Sequence, residues 1–305
     1  MQLALTAPEA GRVVGLDRGA ELGEQAHHRE GPRRSCPPGR RETATMLLHL
    51  IADYGLGDLA FAEVRQRLGM LLPDAVVVVT SVGPFDTLGA GFCLGQLALN
   101  DGPQEMVLYA NIAPRRDEED PRRDNAGERL VAARLASGAL VVAPNAGYTF
   151  SFLRDEAEEL REVELSESGS QFRSRDLFPD VVARLARGDV GPLGPPLPDE
   201  AVPALPERVV AYTDGYGNLK TTWTELPAQP GARVGIAVGD QRGFAVVSDG
   251  AFEVPVGETS FAPGSSGWRR RSGGSVAFLE LFRRGSSAAA LFGHPPAGTP
   301  VEVVA

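Results

Sequence analysis

The sequence predicts a two-domain protein of the α/β class. Its parts are an N-terminal three-layer α/β domain with a largely parallel sheet and a smaller C-terminal antiparallel, β-barrel-like domain. Two observations carry this. From residue 46 to 189, short apolar runs alternate with segments of helical periodicity, the pattern of a layered fold with a parallel sheet. Beyond a proline-rich linker at 190–206, the stretch 207–305 holds only short strand-like runs separated by Gly, Pro and Asp.

The elements follow in order. Residues 1–45 are rich in Arg, Gly, Pro and Glu and lack periodicity. They are expected to be a disordered tail, or to precede a true start at Met46. LLHLIAD (47–53) reads as a strand and 58–72 as an amphipathic helix. AVVVVTSV (75–82) is β-branched and reads as a buried strand. A helix over 86–99 and strands over 106–112 and 140–144 come next, and 176–188 is a helix with a glycine stop. In the second domain RVVAYTD, ARVGIAVG, RGFAVVS, AFEVP and VAFLELF read as strands.

Composition narrows the function. The 305 residues are 43% hydrophobic and 23% charged, ordinary for a globular protein. The net charge of −10 argues against nucleic acid as a partner. Lys220 is the single lysine, a bias we ascribe to coding. Two cysteines, Cys36 and Cys93, give neither a disulfide framework nor a thiolate site, and Cys93 reads as buried filler. His27, His28, His49 and His294 have no metal-site spacing, so no metal is expected. There is no apolar run of membrane-spanning length and no signal-peptide core, so the expected compartment is the cytoplasm.

Four polar stretches interrupt the apolar pattern. In Asp53-Tyr-Gly-Leu-Gly-Asp58, Asp58 is a helix cap, whereas Asp53 either holds vicinal hydroxyls or merely turns the chain. Asn145, in Val-Ala-Pro-Asn-Ala-Gly, ends a strand as an exposed amide or as a plain turn. Arg173-Ser174-Arg175-Asp176 opens a helix: either it favours an anion there, or Ser174 is the N-cap and the arginines face solvent. Asp214-Gly-Tyr-Gly-Asn218 is either a hairpin or a grip on an amino-acid head group. Asp53, Asn111 and Asn145 all fall at the carboxyl ends of strands, where ligands bind in such sheets.

Taken in order, these stretches resemble the S-adenosylmethionine (SAM) hydroxide adenosyltransferases and their relatives, the fluorinases and chlorinases. The family's T-D-(F/L)-G-x-x-D is similar to Ala52-Asp53-Tyr54-Gly55-Leu56-Gly57-Asp58. Its V-A-P-D-N-G is similar to Val142–Gly147, and its F-H-G-R-D or F-Y-S-R-E to Phe172-Arg173-Ser174-Arg175-Asp176. Its D-x-F-G-N-L resembles Asp214–Leu219, and its adenine-contacting strand and turn resemble Phe278–Ser287. The resemblance implies binding of SAM and displacement of methionine from ribose C5′ by water, hydroxide or a halide, with no cofactor beyond SAM itself. It implies Asp53 on the ribose, Asp214 and Asn218 on the methionine part, and Arg283 and Gly285 framing the adenine. Asn145 joins the binding set, and Trp268 or Phe261 would stack on the base. It further implies a homotrimer with sites between subunits.

The nucleophile region departs from the family pattern. Where hydroxide-using members carry an Asp, this chain has Asn111 followed by Ile-Ala-Pro-Arg-Arg; where they carry a His, it has Arg173. Neither can act as a base. Ser174 matches the halogenase serine. Arg173, Ser174 and Asn111 are therefore the candidate catalytic residues. Three readings stand: a SAM-cleaving enzyme yielding adenosine and methionine, a halide-using 5′-halo-adenosine synthase, and a non-catalytic SAM or adenosine binder. The first is preferred, since no regulatory module accompanies the domain.

Overall fold

The computed structural model describes residues 46–112, 128–165, 172–250 and 253–304. The tail 1–45 and the Arg-rich stretch 113–127 lie outside them.

The first domain is built on seven strands: β1 (Leu47–Ala52), β2 (Val76–Ser81), β3 (Met106–Asn111), β4 (Leu130–Leu135), β5 (Leu140–Pro144), β6 (Ala157–Val163) and β7 (Leu193–Pro196). Their spatial order is β2-β1-β3-β5-β4-β6-β7. The first four in that order are parallel, and the rest join antiparallel. The sheet is thus mixed, which corrects the expectation of a largely parallel one. The physical reason is local: Ala-Ser-Gly138, with Gly138 at φ +86°, turns β4 directly back as β5, and no helix intervenes. β4 and β6 were not expected from the sequence, and β7 comes from the proline-rich stretch.

Helix α1 (Leu59–Leu71) covers one face and α2 (Thr87–Ala98) the other. Strand alternation serves both. Leu48, Leu50 and Ala52 of β1 pack with Phe61, Val64 and Leu68 of α1, while Ile51 packs with Ala90, Cys93 and Leu94 of α2. Two short helices, α3 (Arg173–Asp176) and α4 (Phe178–Ala186), stand where one helix over 176–188 was expected; α4 packs on the α1 face. The split follows Leu177, whose non-cap geometry precedes a proline in the first turn of α4. β2 is the sheet's edge, with Val76 51% and Val78 41% exposed. That corrects the buried strand read from its β-branched run.

The second domain is one seven-stranded sheet, ordered β14-β10-β11-β12-β13-β9-β8. Its strands are β8 (Val210–Thr213), β9 (Leu219–Thr221), β10 (Arg233–Val238), β11 (Gln241–Val247), β12 (Thr259–Arg269), β13 (Ser275–Arg283) and β14 (Val301–Val304). All pairs are antiparallel except β11 with β12. The sheet curls until its edges meet at a bridge between Val209 and Pro300. AFEVP is not a strand over its described part, 253–255. A final helix, α5 (Ala288–Leu291), is capped by Ser287.

Helix α2 joins the domains. Nine of its twelve residues are buried, because the far side packs Leu88 and Phe92 against Trp268, Val276 and Phe278 of the second sheet. Close approach explains its glycines: a Cβ at Gly91 would lie 2.5 Å from the Tyr148 carbonyl oxygen.

Candidate functional site at the strand ends

The chain leaves β1 through α1 to reach β2 on one side, then crosses through α2 on the opposite face to reach β3 on the other. The strand order therefore reverses between β1 and β3. Such a switch point opens a crevice at the carboxyl ends of the two strands. Ala52 is in register with Asn111, so Asp53 and Tyr54 leave β1 beside the end of β3.

A hydrogen-bonded cluster is built there. The Tyr54 hydroxyl lies 2.6 Å from Ser174 Oγ, and Asn111 Nδ2 donates to the same phenol oxygen at 3.0 Å. The hydroxyl of Tyr109, fully buried in β3, donates to the Ser174 carbonyl at 2.8 Å. Ser81 Oγ, at the end of β2, donates to the Tyr54 carbonyl at 2.5 Å. The Tyr54 ring stands edge-on to Phe61 at 5.1 Å and to Phe172 at 6.3 Å. Burial raises the Tyr54 phenol to about 12, the Ser174 and Asn111 hydrogen bonds opposing it and the Asp53 charge adding to it. Tyr109 is likewise raised by burial. Both stay protonated donors at neutral pH.

Ser174 is not the expected N-cap. It lies inside α3, buried, and Phe172 holds the cap position with no side-chain hydrogen bond. The neighbouring arginines do not simply face solvent. Arg173 stacks over the Phe178 ring at 5.0 Å; Arg175 stacks over Phe172 at 4.8 Å and pairs with Asp176 and Glu63. Asp53 Oδ2 accepts from the Phe85 backbone at 3.2 Å, and Phe85 has φ +60°, a costly backbone for a non-glycine residue. Asp58 caps α1 as expected, accepting from Ala60 at 2.8 Å. Of the two readings of Asn145, the exposed amide does not hold: the side chain is half-buried, Nδ2 donates to the Ala201 carbonyl at 2.9 Å, and Oδ1 is buried without a partner among the described residues.

The second domain gathers the other candidates. Asp214 Oδ1 accepts from the backbone of Tyr216 and Asn218, and Oδ2 accepts from Asn218 Nδ2 at 2.9 Å. Lys220 Nζ sits 3.6 Å from Asp214 and also pairs with the buried Glu280. Gly217, at φ +81°, abuts Ser287, and its carbonyl accepts from Ala289 at 2.8 Å. The turn 214–218 is thereby locked to the turn after Arg283. There Gly285 adopts φ +80°, and Arg283 Nε is buried with no hydrogen-bond partner among the described residues. The structure thus brings Asp214, Asn218, Arg283 and Gly285 into one group, and Asn111 and Ser174 into another with Tyr54. Trp268 and Phe261 are both core residues, packed edge-on against Phe152 and Trp223 respectively, which removes them as base-stacking surfaces. Tyr216, by contrast, is 85% exposed beside Asp214.

Tyr54, Tyr109, Ser81 and Phe85 were missed from the sequence. One signal was present: Tyr54 adds a hydroxyl at a position where the resembled motif has Phe or Leu. Among the described residues, no group of three His, Cys, Asp or Glu side chains could hold a metal ion, and no helix is long and apolar enough to cross a membrane.

Comparisons with known proteins bear on this site. Residues 48–193 match the family model of the SAM hydroxide adenosyltransferase N-terminal domain. A crystal structure of an uncharacterized conserved protein from Thermotoga maritima superposes with a TM-score of 0.66 at 21% identity, covering 84% of this chain and 100% of that one. A conserved hypothetical protein from Thermus thermophilus gives 0.60 at 27% identity, covering 85% and 100%. That coverage exceeds the first domain, so the shared fold extends into the second. A search of curated proteins found no match. The α/β domain that carries Asp53, Tyr54, Asn111 and Ser174 is an N-terminal domain of the SAM hydroxide adenosyltransferase family.

Proposed function

We propose that the protein cleaves SAM by attack of water or hydroxide on ribose C5′, giving adenosine and methionine. The observation that carries this is the polar cluster of Tyr54, Asn111 and Ser174 beside Asp53, at the switch point of a domain of this family. The C5′–O bond forms as the C5′–S bond breaks, and the electron pair leaves on a neutral thioether. Sulfonium is a good leaving group, so no general acid is required. Catalysis then lies in positioning and partial desolvation.

In this reading Asp53 receives the ribose hydroxyls, Asp214 and Asn218 the methionine part, and Arg283 and Gly285 the adenine. Asn145 buttresses the strand end. Arg173, Ser174 and Asn111 surround the nucleophile. We place the complete site between subunits of a homotrimer, and invoke no cofactor. The halide-using alternative rests on Ser174, but the sequence near Asn111–Arg116 lacks the other wall of the family's halide pocket; the hydrolytic reading therefore takes preference.

Product analysis tests this. The full chain is incubated with SAM, with and without chloride or fluoride, and the nucleosides are identified by mass. Adenosine independent of halide supports the proposal. A 5′-halo-adenosine moves the assignment to the halide-using class. Tight calorimetric binding without turnover makes the protein a binder on this scaffold. Asp53→Ala and Asn218→Ala are expected to weaken SAM binding, and wild-type affinity in both would sink the assignment of the binding residues.

A further inference from the structure

The Tyr54 phenol oxygen touches two of the three residues placed at the nucleophile. Its proton count sets a direction. Asn111 donates into the phenol oxygen, and a phenol has one proton, which is left for Ser174 Oγ at 2.6 Å. Ser174 Oγ, having accepted, keeps its own proton to give. The opposite polarity would put a second donor into the phenol oxygen and leave the phenol proton without the 2.6 Å partner, which is costly in a partly buried place.

The placement is rigid. Three parallel strands and α3 converge on this side chain: β1 supplies it, β2 holds its carbonyl through Ser81, β3 supplies Asn111, and Tyr109 fixes the carbonyl of Ser174. The rings of Phe61 and Phe172 box it edge-on.

Resting on the hydrolytic reading, we propose that Tyr54 is a positioning residue. Its hydroxyl relays Asn111 to Ser174 and commits Ser174 Oγ–H as a donor to the attacking oxygen. That oxygen's second lone pair is held while the first attacks C5′. The proton shed by the attacking water passes to bulk water, because Asn111, Tyr54 and Ser174 are all neutral donors already. The relay stands in for the orienting role that an acid and a histidine would otherwise fill, and it supplies no base.

The test is a double-mutant cycle on the full chain, reading adenosine formation from SAM. Tyr54→Phe keeps the ring and its packing. It is expected to lower kcat about 10- to 100-fold while KM for SAM shifts less than about threefold. Ser174→Ala should do the same, and the double variant should be no slower than the worse single one. Asn111→Ala, cutting the relay at its other end, should also be non-additive with Tyr54→Phe. Wild-type kcat in Tyr54→Phe, or multiplicative losses in the double variant, would overturn the relay while leaving the hydrolytic reading intact. No adenosine from the wild type would overturn both.

Discussion

Gly217 is the hinge pin between the two candidate binding turns, and its replacement by alanine separates two kinds of glycine in one motif. Its φ of +81° lies in the left-handed region, which costs an L-residue about 1–2 kcal/mol. A Cβ there would also lie 2.0 Å from Ser287 Oγ and 2.8 Å from Ser287 Cβ. Ser287 cannot yield freely, since it caps α5 by accepting from Ala290 at 3.0 Å. Overpacking of this kind costs about 1–3 kcal/mol. Gly217→Ala should therefore destabilise by about 2–5 kcal/mol, from these two contributions. Gly215, two residues earlier, has open space around its Cβ position and no positive φ. Gly215→Ala should stay within about 0.5 kcal/mol of wild type. Urea unfolding measures both, and calorimetry with SAM should show Gly217→Ala losing affinity as the 214–218 turn parts from the Arg283 turn. Adding Ser287→Ala to Gly217→Ala should recover part of the loss, because the nearest clashing atom is removed. Equal stability of the two glycine variants would refute the reasoning.

Further outcomes follow from single observations. Burial pushes the Cys93 thiol up to about 12, so in a Cys36→Ser background a thiol reagent should label nothing at pH 8 until the protein unfolds. Gly91→Ala would press a Cβ to 2.5 Å of a backbone carbonyl that no side-chain motion relieves; the urea midpoint should fall by an amount equivalent to about 2–3 kcal/mol. Burial lowers the His49 pKa below 6.5, so the unfolded state binds more protons as pH drops through that value. Stability carried by His49 should be intact above its unfolded pKa and fall with decreasing pH, and His49→Gln should flatten the urea midpoint between pH 5.5 and 7.5. Tyr54 is raised to about 12, and the amide of Asn111 and the hydroxyl of Ser174 do not ionise near neutrality. The kcat profile should accordingly lack a histidine-like inflection between about pH 6 and 9.

The legible parts of the sequence were those in which one local pattern decides the outcome. Periodicity and the Asp58 cap located α1, and the apolar runs located β1, β3 and β5. The failures share a different cause, long-range pairing. Nothing local in LVAARL says that β5 turns back on it as an antiparallel partner, and nothing in LGPP says that it pairs with β6. The Val run of β2 has the same composition as a central strand, yet strand order puts it at an edge. The site divides likewise. Asp53, Asn111 and Ser174 could be named because motifs mark them. The phenol oxygen that connects Asn111 to Ser174 is a meeting of residues 57 and 120 positions apart, and only the fold reveals it.

On the proposed hydrolytic reading, the lack of a base beside Tyr54, Asn111 and Ser174 among the described residues sets a bound on what the site does. A well-placed general base contributes about 10²–10⁴-fold, or roughly 3–5 kcal/mol of barrier. Positioning of reactants can supply about 7–11 kcal/mol. By the motif resemblance Asn111 and Arg173 fall where hydroxide-using members carry the acid and the histidine, and on the proposed reading the first contribution is forgone. The second requires only rigid groups, and these are present: Tyr54 boxed by two phenylalanines, Ser174 held at its carbonyl by a fully buried tyrosine, and Asp214 holding its own turn through three hydrogen bonds. Displacement at a sulfonium asks little of a base, because the leaving group needs no proton and water is a competent nucleophile once aligned. The expected phenotype is therefore a slow enzyme, about 10²–10⁴-fold below a relative that retains the acid and the histidine, and not an inert one. Restoring a base at the strand end, by Asn111→Asp, tests that bound directly. The acid should raise kcat if nucleophile activation is the missing contribution. It should lower kcat if the donor relay through Tyr54 is what carries the reaction, since a carboxylate accepts where Asn111 donates.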